Sequence, residues 1–287
     1  MYSRALNFFQ LTKPSIMLLI LIAGITALII EGSMLADPVK LGLFLIGLFL
    51  TGGSANALNQ YFERDIDSKM TRTSARRPLP LRKISALQAL VFSISIGAIG
   101  TAILAVFFNW LTALLAMSTI LFYGLFYTLL LKPNTPQNIV IGGIAGAMAP
   151  VGAWTAATGK MAVLPWLLFL IIFFWTPPHF WSLALRFEDD YRKTHLPMLP
   201  VIKGEAATFN SIFLYTIALL LISLLPLVLN FGWVYLFVSL ATGGIFLMKV
   251  YNARKAESRN LAWGVFKFSI IYLFALFAAM ILDKFIQ

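Results

Sequence analysis

Residues 38–67 read PVKLGLFLIGLFLTGGSANALNQYFERDID, an apolar run that turns abruptly acidic. From 38 to 60 it carries one charge, Lys40. It is long enough to cross a bilayer as a helix, for which about 20 residues suffice. Its end changes character. Asn56, Asn59, Glu63 and Asp67 succeed one another at steps of three, four and four, which sets them on one helical face. Glu63 over Asp67 is a like-charge pair that costs an isolated helix roughly 0.2–0.5 kcal/mol. A helix that keeps such a pair at a membrane mouth calls for a cation.

The rest of the chain extends the same pattern. Of 287 residues, 60% are hydrophobic and 11% charged, against about 25% charged in a soluble domain. The mean hydropathy is +0.87. Soluble and disordered classes are both excluded. Apolar stretches of spanning length lie at 15–31, 38–60, 86–108, 110–131, 137–157, 162–186, 209–229, 231–251 and 262–282. The expectation is an all-α, polytopic membrane protein of nine transmembrane helices forming a single domain over 1–287. Its two long loops fall at about 61–85 and 187–208. The first span exceeds a signal-peptide apolar core and is followed by the poor cleavage site Glu31-Gly32-Ser33-Met34, so it reads as a retained helix. The absence of cysteine excludes disulfides, thiolate catalysis and Cys-based metal sites.

The formal charge of +11 resolves into topology. With the N-terminus in the cytoplasm, eighteen Lys and Arg fall in inner segments and only Lys40, Lys160 and Lys284 in outer ones. That asymmetry obeys the positive-inside rule and puts the C-terminus outside. The address expected is a bacterial cytoplasmic membrane. Nucleic acid is not needed to explain the charge.

Topology does not ask for carboxylates, so the eleven acids carry more information. Six gather in two clusters, Glu63, Asp65 and Asp67 after the second span and Glu188, Asp189 and Asp190 after the sixth. Both come after even-numbered spans and so face the same side. Oxygen ligands of this kind suit Mg²⁺, which keeps waters and shares its sphere with substrate phosphates. Arg64, Lys69, Arg72, Arg76 and Arg77 stand beside the first cluster, and Arg186 and Lys193 beside the second. Cations next to carboxylate-held metal point to a diphosphate ligand. Metal on both flanks would stabilise charge on a departing diphosphate, while a hydrocarbon tail runs between the spans.

These clusters resemble the UbiA-type intramembrane prenyltransferases, whose first motif is Asn-Asp-x-x-Asp-x-x-x-Asp and whose second is a later Asp-rich segment. The chain supplies Asn59, Gln60, Glu63 and Asp67 at the matching positions. Gln60 replaces an acid, and Glu63 is one methylene longer than Asp. The departures look like those of the protohaem IX farnesyltransferase (haem O synthase) branch. Its signatures resemble Asn59–Asp67, Thr135–Gly143, Trp175–Trp181 and Asp189-Asp190-Tyr191 with Pro197–Pro200 after it.

The resemblance implies a bundle with a central cavity open to the cytoplasmic side, and Mg²⁺ held by Asn59, Glu63, Asp67, Asp189 and Asp190. The four acids are the implied catalytic residues, ionising farnesyl diphosphate for attack by a vinyl group of haem b. Asn56, Asn59, Arg64, Lys69, Arg72, Arg76, Arg77, Arg186 and Lys193 are candidates for the diphosphate or the haem propionates. Tyr127 and Lys132 resemble a family Tyr/Lys pair near the diphosphate. Haem A synthase or oxidase assembly factors are the protein partners it implies.

Other readings stay open. His179, after Pro177-Pro178, fits either a haem contact or a hydrogen-bonded histidine of the bundle. The stripe Gly142–Gly146 fits close helix packing, because no P-loop Lys comes after it. A quinone-pathway prenyltransferase would show an acid at position 60, and a secondary transporter would place its ionisable groups near the bilayer midplane.

Overall fold

The computed structural model describes residues 2–286, with side chains from residue 4 onward. Among these residues nine helices are long and apolar enough to cross a membrane. In order they are Pro14–Glu31, Pro38–Phe62, Ala86–Phe107, Trp110–Asn134, Asn138–Thr158, Val163–Arg186, Leu199–Leu229, Trp233–Lys255 and Arg259–Ile286. The chain is an all-α, multi-pass membrane protein. Short helices at Tyr2–Leu11, Arg64–Lys69, Thr71–Ser74 and Glu188–Lys193 fill the segments beside the acidic clusters.

Local chemistry explains most boundaries. Asp37 accepts from Lys40 N at 3.0 Å and Pro38 opens the second span. Ser85 and Gln88 form a reciprocal capping box at the third. Asn109 accepts from Thr112 N at 3.0 Å to start the fourth within a tight hairpin. The seventh span departs from expectation, beginning at Leu199 rather than 209. Gly204, at φ 78°, interrupts it near its start, so Lys203 and Glu205 sit at a break that hides the helical period from sequence.

The second span packs along the third, the eighth along the ninth, and the sixth against both the seventh and the ninth. The first lies on Ala149–Thr158, the second half of the fifth. Small residues set the closest approach. A Cβ on Gly100 would come within 3.0 Å of the Thr51 backbone nitrogen, so the second and third helices meet almost backbone to backbone. Trp110 and Trp233, 77% and 73% exposed, begin the fourth and eighth spans. They lie on the side opposite the acidic clusters, where amphipathic rings anchor a helix at the lipid headgroups.

In hydrocarbon every buried polar group needs an internal partner. The Tyr235 hydroxyl donates to Ser223 O at 2.6 Å, and the Tyr272 hydroxyl to Ser223 Oγ at 2.8 Å. Asp283, on the ninth span and 2% exposed, accepts from Gly232 N at 2.7 Å and Tyr235 N at 3.1 Å. A carboxylate from one helix thus caps the start of its neighbour. Asp283→Ala is expected to lower stability by about 1–3 kcal/mol, read by thermal unfolding in detergent. Asp283→Asn, which keeps an acceptor oxygen, should lose less.

Candidate functional site

The second span carries its polar face to its acidic end, where a short helix takes over. It ends at Phe62, Glu63 turns with φ −88° and ψ 3°, and Arg64–Lys69 continues, with Asp67 N donating to Glu63 O at 2.8 Å. Asn56, Asn59, Glu63 and Asp67 are all buried. Two buried carboxylates this close require cations, and three arrive from separate parts of the chain. Lys132 Nζ stands 2.5 Å from Glu63 Oε1. Arg77 reaches back from the loop to pair with Asp67, and its Nη1 lies 3.9 Å from Glu63 Oε2. Lys13, just ahead of the first span, donates to Asn59 Oδ1 at 2.7 Å, and Asn59 Nδ2 donates to Thr128 Oγ1 at 3.1 Å.

Burial alone would raise the Glu63 carboxyl; Lys132, Lys13 and Arg77 outweigh it and hold the group below the usual carboxylate range. Burial pushes the Lys13 ammonium down to about 7, with Arg77 adding to the shift.

Lys132 owes its place to a local anomaly. Residues Phe122–Leu131 form a wider π-helical stretch, in which Lys132 N bonds Tyr127 O, five residues back. Such stretches are rare and recur at functional sites. Here it stacks Tyr123 on Tyr127 (5.1 Å, 8°) and turns Lys132 toward Glu63. Gly142 leaves room for the Tyr127 ring against the fifth span. The small-residue stripe therefore packs closely at Gly142 and Gly143, whereas Gly146 has nothing near its Cβ direction and lines a cavity.

Asp190 accepts from Thr71 Oγ1 at 2.6 Å and from Arg72 N at 3.0 Å, so it ties the loop of the first cluster to the end of the sixth span. Those donors, against the effect of burial, hold its carboxyl below the ordinary value. Glu188, which sequence reasoning gave no role of its own, is buried and paired with Arg192 and Arg259, and Arg259 also reaches Glu205 at 2.8 Å. Asp189 is exposed.

Among the described residues no three acidic, His or Cys groups gather into a metal cage. The Glu63–Asp67 pair with Asn59 is the donor set that fits Mg²⁺, an ion bound through one or two carboxylates plus phosphate oxygens. Of the other candidate cations, Lys69, Arg76, Arg186 and Lys193 are exposed at the rim. Arg64 folds back onto Tyr61 O at 2.8 Å, and Arg72 lies over the Phe187 ring at 5.6 Å.

Beside this polar end a cavity of about 550 Å³ runs into the apolar interior between the first, second, fourth, fifth, sixth and ninth spans. Its polar wall includes Asn56, Tyr127 and His179. The His179 ring lies between Trp175 (4.2 Å) and Phe266 (4.4 Å). Its Nδ1 is 2.7 Å from Ser269 Oγ, whose own proton goes to Phe266 O at 2.7 Å. Nδ1 is therefore the donor, and the lone pair stays on Nε2.

This is the layout of an intramembrane prenyltransferase, and the UbiA prenyltransferase family matches residues 18–278. The chain belongs to that family. Within it, the chain is 45% identical to the protoheme IX farnesyltransferase of Synechocystis sp., over 97% of this chain and 89% of that protein. It is 47% identical to the protoheme IX farnesyltransferase of Gloeobacter violaceus, over 98% and 93%. A solved digeranylgeranylglyceryl phosphate synthase shares the fold at TM-score 0.82 and 21% identity, covering 99% of this chain and 100% of that one. A UbiA homologue from Archaeoglobus fulgidus, bound to GPP and Mg²⁺, does so at TM-score 0.68 and 17% identity, over 96% and 99%.

Thr71→Val removes the hydroxyl that Asp190 accepts from and should release the 70–77 loop. Hydrogen bonds to charged groups contribute about 1.5–3 kcal/mol, so limited proteolysis of the folded protein should cut this loop faster by an order of magnitude or more. Sites in the outer hairpins should cut at unchanged rates.

Proposed function

We propose that this chain transfers the farnesyl group of farnesyl diphosphate to a vinyl group of haem b, with addition of water, giving haem O and diphosphate. The observation that carries the reading is the near full-length identity to protoheme IX farnesyltransferases, in a chain whose cation-lined carboxylate pair opens beside an apolar cavity.

The chemistry is a dissociative alkyl transfer. The bond between farnesyl C1 and the diphosphate oxygen breaks, and both electrons leave with the diphosphate. The vinyl group supplies the π electrons for the new carbon–carbon bond. Water adds to the resulting cation beside the macrocycle and loses a proton, which leaves a hydroxyethylfarnesyl substituent. Glu63 and Asp67, with Asn59, would hold Mg²⁺, whose charge offsets that of the departing diphosphate. Arg77 and Lys132, paired with those carboxylates, stand where they can turn to phosphate oxygens. Asp190 keeps the loop bearing Arg77 in register. The cavity excludes water from the allylic cation until attack.

His179 presents Nε2 as a preset ligand or edge contact for the macrocycle. The exposed cations at the rim, Lys69, Arg76, Arg186 and Lys193, suit the propionates. The charge asymmetry supports an N-terminus in the cytoplasm, with the site opening to that side of a bacterial cytoplasmic membrane. The whole chain would act as one domain. Its apolar product would pass within the bilayer to haem A synthase or oxidase assembly factors.

Membranes containing the protein, incubated with haem b, farnesyl diphosphate and Mg²⁺, should yield haem O by mass spectrometry. EDTA, or Asp67→Asn, should lower the rate by about 100-fold or more, in line with loss of a transition-state contact. Absence of product, or product indifferent to both, would overturn the reading. His179→Phe keeps the aromatic sandwich but removes the lone pair. It should raise KM for haem b about tenfold, the order of a lost, hydrogen-bond-oriented ligand, and leave KM for farnesyl diphosphate unchanged.

A further inference from the structure

The transfer ends with a water molecule, and the cavity wall offers little that could manage one. Among the described residues that line it, the titratable side chains are Tyr123, Tyr127 and His179. A phenol keeps its proton at neutral pH, whereas a neutral imidazole has a lone pair to give. His179 Nδ1 is engaged by Ser269 Oγ at 2.7 Å, and the Ser269 proton goes to Phe266 O at 2.7 Å. The basic nitrogen left over is Nε2, on a ring fixed between Trp175 and Phe266.

Thr176 stands about one turn before His179 on the same face of the sixth span, and it lines the cavity too. Its hydroxyl donates to Ile172 O at 2.8 Å, so any further contact must use its lone pairs. Gly143 leaves that hydroxyl uncovered, since a Cβ there would come 3.3 Å from Thr176 Oγ1. Side chains three residues apart on a helix have Cβ atoms about 5–6 Å from each other, a gap that one water can bridge. Two polar partners are the least that hold a water in apolar surroundings. Both partners here are acceptors. A water that donates one proton to Nε2 and the other to Thr176 keeps its oxygen lone pairs free to attack.

We propose that Thr176 and His179 hold the water that completes the transfer, and that His179 is the base that takes its proton. The inference rests on the farnesyl-transfer reading and adds to it the fate of the last proton. When the terminal carbon of the vinyl group joins farnesyl C1, the inner vinyl carbon is left as a cation beside its pyrrole ring. A lone pair of the held water forms the carbon–oxygen bond. One O–H bond breaks, its electrons stay on oxygen, and the proton passes to Nε2, which releases it to bulk water as product leaves. Nε2 cannot hold iron and take this proton together, so its contact is with the macrocycle edge that bears the vinyl group. Without the base the same cation has another outlet. It loses a proton to the departing diphosphate from the carbon joined to the farnesyl chain, and gives an alkene lighter by one water. Ser269 touches no reacting atom and is a positioning residue that acts through Nδ1.

The test reads products rather than rates, with the full chain in membranes, farnesyl diphosphate, Mg²⁺ and haem b at saturation for each variant. Mass spectrometry of the extracted haems separates the hydrated product from the alkene, and the wild type should give the hydrated one almost alone. His179→Phe should raise the ratio of alkene to hydrated product about 100-fold, within the range of general-base catalysis. Thr176→Val, close in shape but without the hydroxyl, should raise it about 3- to 10-fold, the size of one hydrogen bond. Thr176→Ser should return it to the wild-type value. Ser269→Ala should move the ratio in the same direction and add nothing to His179→Phe, because a residue acting only through the imidazole has nothing left to position. A merely structural role would lower both products together and leave the ratio where it was. An unchanged ratio in folded His179→Phe, or in Thr176→Val, would overturn the proposal, and Thr176→Val alone decides it if His179→Phe does not fold. A wild-type protein that forms neither product would count against the transfer reaction instead.

Discussion

Two carboxylates buried at the end of a membrane helix cost several kcal/mol each unless they are paired. The organisation of this protein comes from meeting that cost for Glu63 and Asp67. Their cations come from the residue before the first span, from the loop after the second and from the end of the fourth, so three separate segments converge on one helix end. The ion pairs are not strong staples on balance, because desolvation cancels much of the attraction. Their value is specificity. Both acids are paired only when these segments meet.

Around that centre the fold separates its tasks by depth. On the side with Trp110 and Trp233, Asp283 closes the eighth helix onto the ninth. Within the bundle the aromatic sandwich and the Ser269 hydroxyl hold the His179 ring in one orientation. At the acidic end, the second cluster serves as a latch, with Asp190 gripping the loop between the two motifs and Glu188 tying Arg192 and Arg259 together. Substrate chemistry needs all three levels at once: a polar mouth for charge, a dry cavity for an allylic cation, and rigid walls between them.

Much of this was legible in the chain alone, for a simple reason. A spanning helix must satisfy its own backbone, so length and apolarity mark it without tertiary context, and the nine spans lie close to where hydropathy puts them. The seventh differs most, where Gly204 breaks the period. The polar face of Asn56, Asn59, Glu63 and Asp67 was equally readable, because helical spacing is a local property. Lys13 was not. Its sequence context is that of an ordinary flanking lysine, and nothing local announces a left-handed backbone beside carbonyls clamped by Gln60 of the second span. Glu188 was hidden for the same reason, since its partner Arg259 lies beyond the seventh and eighth spans.

The sequence by itself determined the class of the molecule: an all-α membrane protein, its sidedness in charge, and two acidic helix ends on one face of the bilayer. These come from hydrophobic length, the distribution of Lys and Arg, and the helical repeat, each of which acts over a few residues. Tertiary structure alone decided which cations meet which carboxylates, and joined Asp190 to Thr71 and Arg72 of the loop between the motifs. It also selected the amide of Gln60 as a clamp and the Nε2 of His179 as the free nitrogen. Those outcomes depend on partners brought together from distant spans, and pairing inside a low-dielectric bundle is settled by geometry rather than by order along the chain.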